Sequence, residues 1–289
     1  MMITIQNEKF SATFSAKGAE LQSLKNKQAN IEYIWDGNPN FWGKHSPVLF
    51  PIVGGLKENS YFLEGEEYHL SRHGFARDRE FETEQSSETE VTFILRHDQQ
   101  TLKVYPFEFV LKLHYQISDS GLTCTYHVVN PGDETMLFSI GSHPAFSTPV
   151  SDDLKYDDYY LEFNNDSTLS YHKIAGDLIL DETVTLNLQD NVLPLSHELF
   201  YGDALVFKNL KSDCISLKNG KNEHGIHYQF TNFPYFGIWA AKDANFVCLE
   251  AWCGIADGVN HNKELSVKEG VMKLSAGQSW ERSWTIACF

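Results

Sequence analysis

Apolar and polar residues alternate along most of this chain with a period of two. Residues 107–117 show it best: Phe107, Phe109, Leu111, Leu113, Tyr115 and Ile117 are apolar, and the positions between them are mostly polar. That is the signature of a strand with one face in a core. Residues 122–129 repeat it, with Leu122, Cys124, Tyr126 and Val128 facing one way. Shorter runs of the same kind fall at residues 2–5, 10–14, 18–24, 33–35, 159–163, 184–188, 204–207, 214–217, 226–230, 237–240, 246–250, 271–274 and 280–286. Turn signals punctuate them, at Asp36-Gly37, at Glu64-Gly65 inside a hairpin spanning 61–70, and at Asn130-Pro131-Gly132-Asp133. Helical periodicity is confined to a turn or so at Pro39–Trp42 and at 196–200.

About fifteen short strands with such turns predict an all-β protein built as a large antiparallel β-sandwich or barrel. No linker, repeat or shift in composition interrupts residues 1–289, which read as a single domain. The segment from Ser46 to Lys57 is apolar between Pro47 and Pro51 and closes on Gly54-Gly55. Its prolines bar it from the middle of a sheet, so it is expected at an edge or as a pocket wall. The turn at 130–133 leads towards His143, which is therefore expected in the third strand of an antiparallel meander.

Charge narrows the partners. With 23 Lys and Arg against 39 Asp and Glu, the chain carries a net −16, which argues against nucleic acid and against an anionic membrane. Five scattered cysteines without CxxC spacing read as reduced structural thiols, and the first residues lack a basic start followed by an apolar run. A cytoplasmic chain, monomeric or weakly dimeric, with a small-molecule ligand is the expectation.

Familiar catalytic motifs are missing. There is no GxSxG elbow and no phosphate-cradling glycine loop before a helix. His224 and His227 do not form HExxH, and the acidic run with Asp152, Asp153, Asp157 and Asp158 lacks the glycine and glutamate of an EF-hand. No metal and no cofactor is expected. Two residues stand out instead. His143 is followed by Pro144, which biases it to extended backbone and presents the imidazole rigidly; an imidazole titrates near neutrality, although a lone histidine is often only structural. Glu250 lies in Phe246-Val247-Cys248-Leu249-Glu250-Ala251, where both faces are apolar. Either it is solvated at the strand end, or it is buried with a partner or a task, its pKa raised towards that of a general base. The knot Arg72-His73-Gly74-Phe75-Ala76-Arg77 is unusually cationic for so acidic a chain; ion pairs with nearby acids would account for it equally well.

Taken together, these segments resemble the aldose 1-epimerases, or galactose mutarotases. The likeness is closest to the subgroup named after the lacX product, and the hexose-6-phosphate epimerases are also similar. The landmarks follow the family's order over essentially the whole chain: 47–54, His73-Gly74-Phe75-Ala76-Arg77, Gly141-Ser142-His143-Pro144, Gly202-Asp203, Leu249-Glu250 and Asp257-Gly258-Val259-Asn260-His261. The resemblance implies a β-supersandwich and cofactor-free interconversion of sugar anomers. By it His143 is the acid at the ring oxygen, Glu250 the base at the anomeric hydroxyl, and His73 and Asp203 bind the sugar. Arg77 matches an arginine that the phosphosugar branch turns to its substrate. Two departures stand out. The galactose pattern has Thr-His-Tyr-Phe-Asn-Leu where this chain has Ser142-His143-Pro144-Ala145-Phe146-Ser147. An arginine of the 47–57 loop is replaced by Gly55, with Lys57 two positions on as a possible substitute in charge, though not in its planar fork. Trp35, Trp42, Trp239 and Trp252 are candidates for stacking on a sugar ring. A hexose-6-phosphate, bound through Arg72, Arg77 and Lys57, is the alternative substrate. An inactive sugar-binding protein is the alternative role.

Overall fold

The alternation is realised in a computed structural model that describes residues 1–151 and 153–289. Its two strongest runs become the strands Val110–Ser118 and Gly121–Val129, paired antiparallel from Gly121 opposite Ser118 to Val129 opposite Val110. Leu111, Leu113, Tyr115, Cys124, Tyr126 and Val128 turn inward and are buried, because successive side chains of a strand point to opposite faces. Seven more strands complete a nine-stranded sheet among the described residues.

Two other sheets cover its inner face. The four strands of residues 2–32 bring Phe14 to 4.5 Å from Tyr115 and 5.6 Å from Phe93, ring centre to ring centre. A seven-stranded sheet packs alongside, its Phe236 ring 4.3 Å from Phe230 and 6.2 Å from Tyr228. The result is an antiparallel all-β sandwich with aromatic rings filling the middle. Among the described residues no helix is long and apolar enough to cross a membrane.

The expected meander does not form. The strand Gly121–Val129 has Ser279–Cys288 as its second neighbour, with Val129 opposite Ser279. After the 130–133 turn the chain leaves this sheet. Met136–Phe138 pairs with Met272–Leu274, and Ile140–Gly141 joins the seven-stranded sheet. The physical reason is visible in the residues: Met136 to Ile140 are buried at every position, whereas Ser279–Cys288 alternates and so suits a sheet with one wet face. In the acidic stretch, the Asp158 carboxylate accepts from Lys221 Nζ at 2.7 Å and from the Lys155 backbone at 2.8 Å. Asp152 lies outside the described residues.

Candidate active site

The strand Phe246–Cys253 is buried throughout and sits between neighbours on both sides. Phe246, Cys248, Glu250 and Trp252 share one face by alternation. On one side it pairs continuously with Tyr235–Trp239, with Gly237 opposite Glu250. On the other its partner is broken. Ile140–Gly141 pairs opposite Cys253 and Trp252, and Ala145–Ser147 opposite Cys248, Val247 and Phe246. The interruption is Ser142-His143-Pro144, and the register sets His143 beside Glu250. Proline has no N–H to give the ladder. The Ser142 hydroxyl stands in: it accepts from the Ala251 N–H at 3.1 Å and is hydrogen-bonded to the buried Tyr228 hydroxyl at 2.6 Å. A serine and a proline thus turn a broken strand into a mount for a histidine.

His143 Nε2 lies 3.3 Å from Glu250 Oε2, with the side chains 8 % and 2 % exposed. Trp42 stacks on the imidazole at 4.9 Å and 27°, while Trp239 and His73 meet it edge-on at 5.8 and 5.7 Å. Burial pushes the Glu250 carboxyl well above the usual carboxylate range, with Asp203 adding to the rise and Arg72 opposing it. Burial likewise pulls His143 down to about 3, helped by Arg72 and Arg77. Both shifts favour a neutral pair that holds one proton, with the carboxyl as its resting owner. His143 Nδ1 has no partner.

These groups line one pocket, whose empty space is about 440 Å³ with the open mouth included. Its floor is the Trp252 indole. A Cβ on Gly141 would come within 2.6 Å of that ring, and one on Gly237 within 2.4 Å, so both flanking glycines are required for the ring to lie flat. The buried indole N–H makes no full hydrogen bond, yet stands close enough to the Glu250 carboxylate to favour its charged form. The loop after Pro51 supplies the wall, as its prolines imply, with Gly54 and Gly55 lining the pocket.

His73 is buried, with φ of 68°, a left-handed conformation that costs a non-glycine residue about 1–3 kcal/mol. Its Nδ1 accepts from the Gly54 N–H at 3.1 Å, and Arg72 Nε points at its Nε2 from 3.2 Å. A neutral imidazole accepts at one nitrogen only. The Gly54 bond comes from fixed backbone, so the assigned tautomer carries its proton on Nε2. The Arg72 contact, at 3.2 Å, is then a close approach and not a hydrogen bond.

Among the expected site residues, the pocket brings together His143, Glu250 and His73. Asp203 stands just outside the lining: its φ is 102°, its carboxylate accepts from the Ala204 N–H at 2.7 Å, and Ala204 itself lines the pocket. Lys57 is turned away, its ammonium donating to the Val259 and His261 carbonyls at 3.0 and 3.4 Å. It takes no arginine's place in the pocket. Arg77 also faces elsewhere, donating to the Arg72 carbonyl at 2.8 Å and lying 3.7 Å from Asp78. Of the four tryptophans, Trp239 and Trp252 line the pocket, Trp42 backs His143, and Trp35 donates to the Trp42 carbonyl at 2.9 Å from further behind. The charged residue that sequence reasoning missed is Asp177, which lines the mouth and binds Arg72 Nη1 at 2.7 Å.

One cluster has the composition of a metal site. Donor atoms of His143, Cys248 and Glu250 lie within 4.8 Å of one another. Burial beside Glu250 raises the Cys248 thiol well above its ordinary value. Without a metal, that burial keeps Cys248 as the neutral thiol.

Comparison with known proteins agrees over the full length. The chain is 31 % identical over 301 aligned residues, covering 99 % of each sequence, to the plasmid and the chromosomal forms of protein LacX from Lactococcus lactis subsp. lactis. A galactose mutarotase related enzyme from Lactobacillus acidophilus superposes with a TM-score of 0.95 at 34 % identity, over 100 % of this chain and 97 % of that one. A galactose mutarotase-like protein from Lactobacillus casei gives 0.92 at 34 % identity, over 100 % of both. The aldose 1-epimerase family model matches residues 1–283. With a family model matching nearly its whole length and curated relatives 31 % identical across 99 % of it, the chain belongs to the aldose 1-epimerase family.

Proposed function

We propose that the protein is a mutarotase acting on a free, neutral hexose, with His143 and Glu250 exchanging protons with the ring oxygen and the anomeric hydroxyl. The observation that carries this reading is the 3.3 Å contact between His143 Nε2 and Glu250 Oε2 at the bottom of the pocket. In a pyranose, O1 and O5 are bonded to the same carbon. Two catalytic groups this close can each reach one of them.

The chemistry balances on the single proton of the pair. From the resting state the proton crosses from the Glu250 carboxyl to His143 Nε2, giving carboxylate and imidazolium. Arg72 favours the carboxylate of that tautomer and opposes its imidazolium. Glu250 then removes the O1 proton while His143 delivers its proton to O5. The C1–O5 bond breaks and C1 becomes an aldehyde. The products on the protein are again a carboxyl and a neutral imidazole, the arrangement that burial prefers. Rotation about C1–C2 and the reverse transfers close the ring with either anomeric configuration. Such general acid–base catalysis contributes about 10²–10⁴-fold. The Trp252 indole, which lines the pocket, offers the apolar sugar face a ring to stack on.

A phosphorylated substrate fits less well. Both other cations named for that role are engaged, Lys57 with backbone carbonyls and Arg77 with the Arg72 carbonyl. The test is NMR or polarimetry of anomer exchange for glucose and galactose, with Glu250→Gln as the control. Exchange above buffer that the variant abolishes supports the reading. No acceleration of either sugar defeats it.

A further inference from the structure

We infer that Asp177 is a specificity residue that admits neutral sugars to the pocket and turns anionic ones away. The inference rests on the mutarotase reading and adds to it a residue at the mouth.

Three observations carry it. First, Asp177 fills the space in front of Gly55. A Cβ built on Gly55 would lie 2.8 Å from the Asp177 Cβ and 2.8 Å from its carbonyl oxygen, so a side chain at position 55 and this residue exclude each other. Second, Asp177 Oδ1 holds Arg72 Nη1 at 2.7 Å, and Arg72 is the one lysine or arginine lining the pocket among the described residues. The cation that could attract a phosphate or carboxylate is thus already paired with a carboxylate. Third, the backbone that carries the carboxylate is held at the mouth, although the side chain itself is 47 % exposed. It sits at the tip of the hairpin Thr168–Ala175 and Leu178–Asn187, in a two-residue turn with Gly176 and Asp177 at φ 57° and 67°. The strand behind it is pinned by Ile179 N–H to the Asp257 carbonyl at 2.9 Å and Val259 N–H to the Ile179 carbonyl at 3.1 Å, while Asp257 N–H holds the Gly55 carbonyl at 2.9 Å. Gate and wall are therefore tied through one residue, Asp257.

An anionic sugar approaching Arg72 meets a carboxylate in its way, and a neutral sugar does not. Asparagine and glycine both tolerate a left-handed backbone, so Asp177→Asn removes the charge at nearly constant shape and Asp177→Gly removes the side chain as well. Anomer exchange is measured for glucose and glucose 6-phosphate with wild type and both variants, after their melting temperatures show that they fold. The expected result is a rise of roughly tenfold in kcat/KM for the phosphate ester relative to glucose, the size of one half-screened charge. It should lie in KM for the ester and shrink in added salt. An unchanged ratio in both variants overturns the inference, as does a wild type that already prefers the ester. If wild type accelerates neither sugar, the mutarotase reading falls and calorimetry decides the role of Asp177: glucose 6-phosphate binding about tenfold tighter to Asp177→Asn supports it, and equal binding overturns it.

Discussion

Replacing Glu250 by glutamine tests the protonation state on which the chemistry depends, and it does so through stability. The folded carboxyl titrates well above its ordinary value of 4.5 because it is buried. A group raised in this way contributes fully below pH 4.5, and its contribution is lost as pH rises towards the folded value, at about 1.4 kcal/mol per pH unit. By pH 7 the loss reaches at most about 3 kcal/mol. Glutamine is neutral in both states and suffers none of it, while keeping the shape and an amide to meet His143. His143 behaves in the opposite sense. Its depressed folded value means stability that is present above pH 6.5 and lost as pH falls towards about 3. That effect is common to both proteins and drops out of the difference between them. Glu250→Gln should therefore melt close to wild type near pH 4.5 and higher at pH 7, by roughly 6 °C for a domain of this size. Over the same change anomer exchange should fall about 10²–10⁴-fold. The assay is calorimetric melting of both proteins from pH 4.5 to 8. If the resting pair were instead carboxylate and imidazolium, the substitution would leave a buried unpaired cation and destabilise the protein by about 3–5 kcal/mol. A variant less stable than wild type at pH 7 refutes the neutral pair.

Two further substitutions probe the frame. Gly237→Ala puts a methyl group within 2.4 Å of the Trp252 ring; the indole should be driven into the pocket, raising KM for the sugar several-fold and lowering stability by about 1–3 kcal/mol, as overpacking does. An unchanged KM would show that the indole does not form the floor. Lys268→Met breaks the buried contact between Lys268 Nζ and Asp257 Oδ1 at 2.5 Å and leaves the carboxylate without its ammonium partner, held only by the Lys57 N–H at 2.9 Å and near His261, which should cost about 3–5 kcal/mol in chemical denaturation. A cost below about 1 kcal/mol would mean that water reaches Asp257.

The sequence made different parts of this structure legible for different reasons. Strands with one wet face announce themselves by alternation, so residues 107–117 and 122–129 could be read directly. Glu250 was conspicuous because a carboxylate between two apolar faces is costly to bury without a task. His143 was marked by its proline, whose missing N–H turns out to break the strand beside Glu250. Asp177 left no such trace. Its hairpin is exposed or half-buried on both faces at most positions, so neither strand shows a clean period, and only residues 184–188 suggested one. Partner choice was also beyond local pattern. The strand after the 130–133 turn looked like the next rung of a meander, yet Ser279–Cys288, from the far end of the chain, takes that place. Lys57 illustrates the same limit at the level of one side chain: its charge was readable, but the two carbonyls that hold it were not.

The broken partner of the strand Phe246–Cys253 has a consequence for hydrogen exchange. Here the interruption lies over the middle of a fully buried strand and is closed by the Ser142 hydroxyl and by the Leu249 N–H, which donates to the Pro144 carbonyl at 3.3 Å. The backbone amides of Leu249 and Ala251 are thus held on the side where the ladder fails, in a region with no exposed edge through which to fray. Such amides exchange only when the cooperative unit containing them opens as a whole. The site is then built into a unit that opens only with the fold around it. Protection at Leu249 and Ala251 should report global stability, and losing the mount for His143 should mean losing the domain.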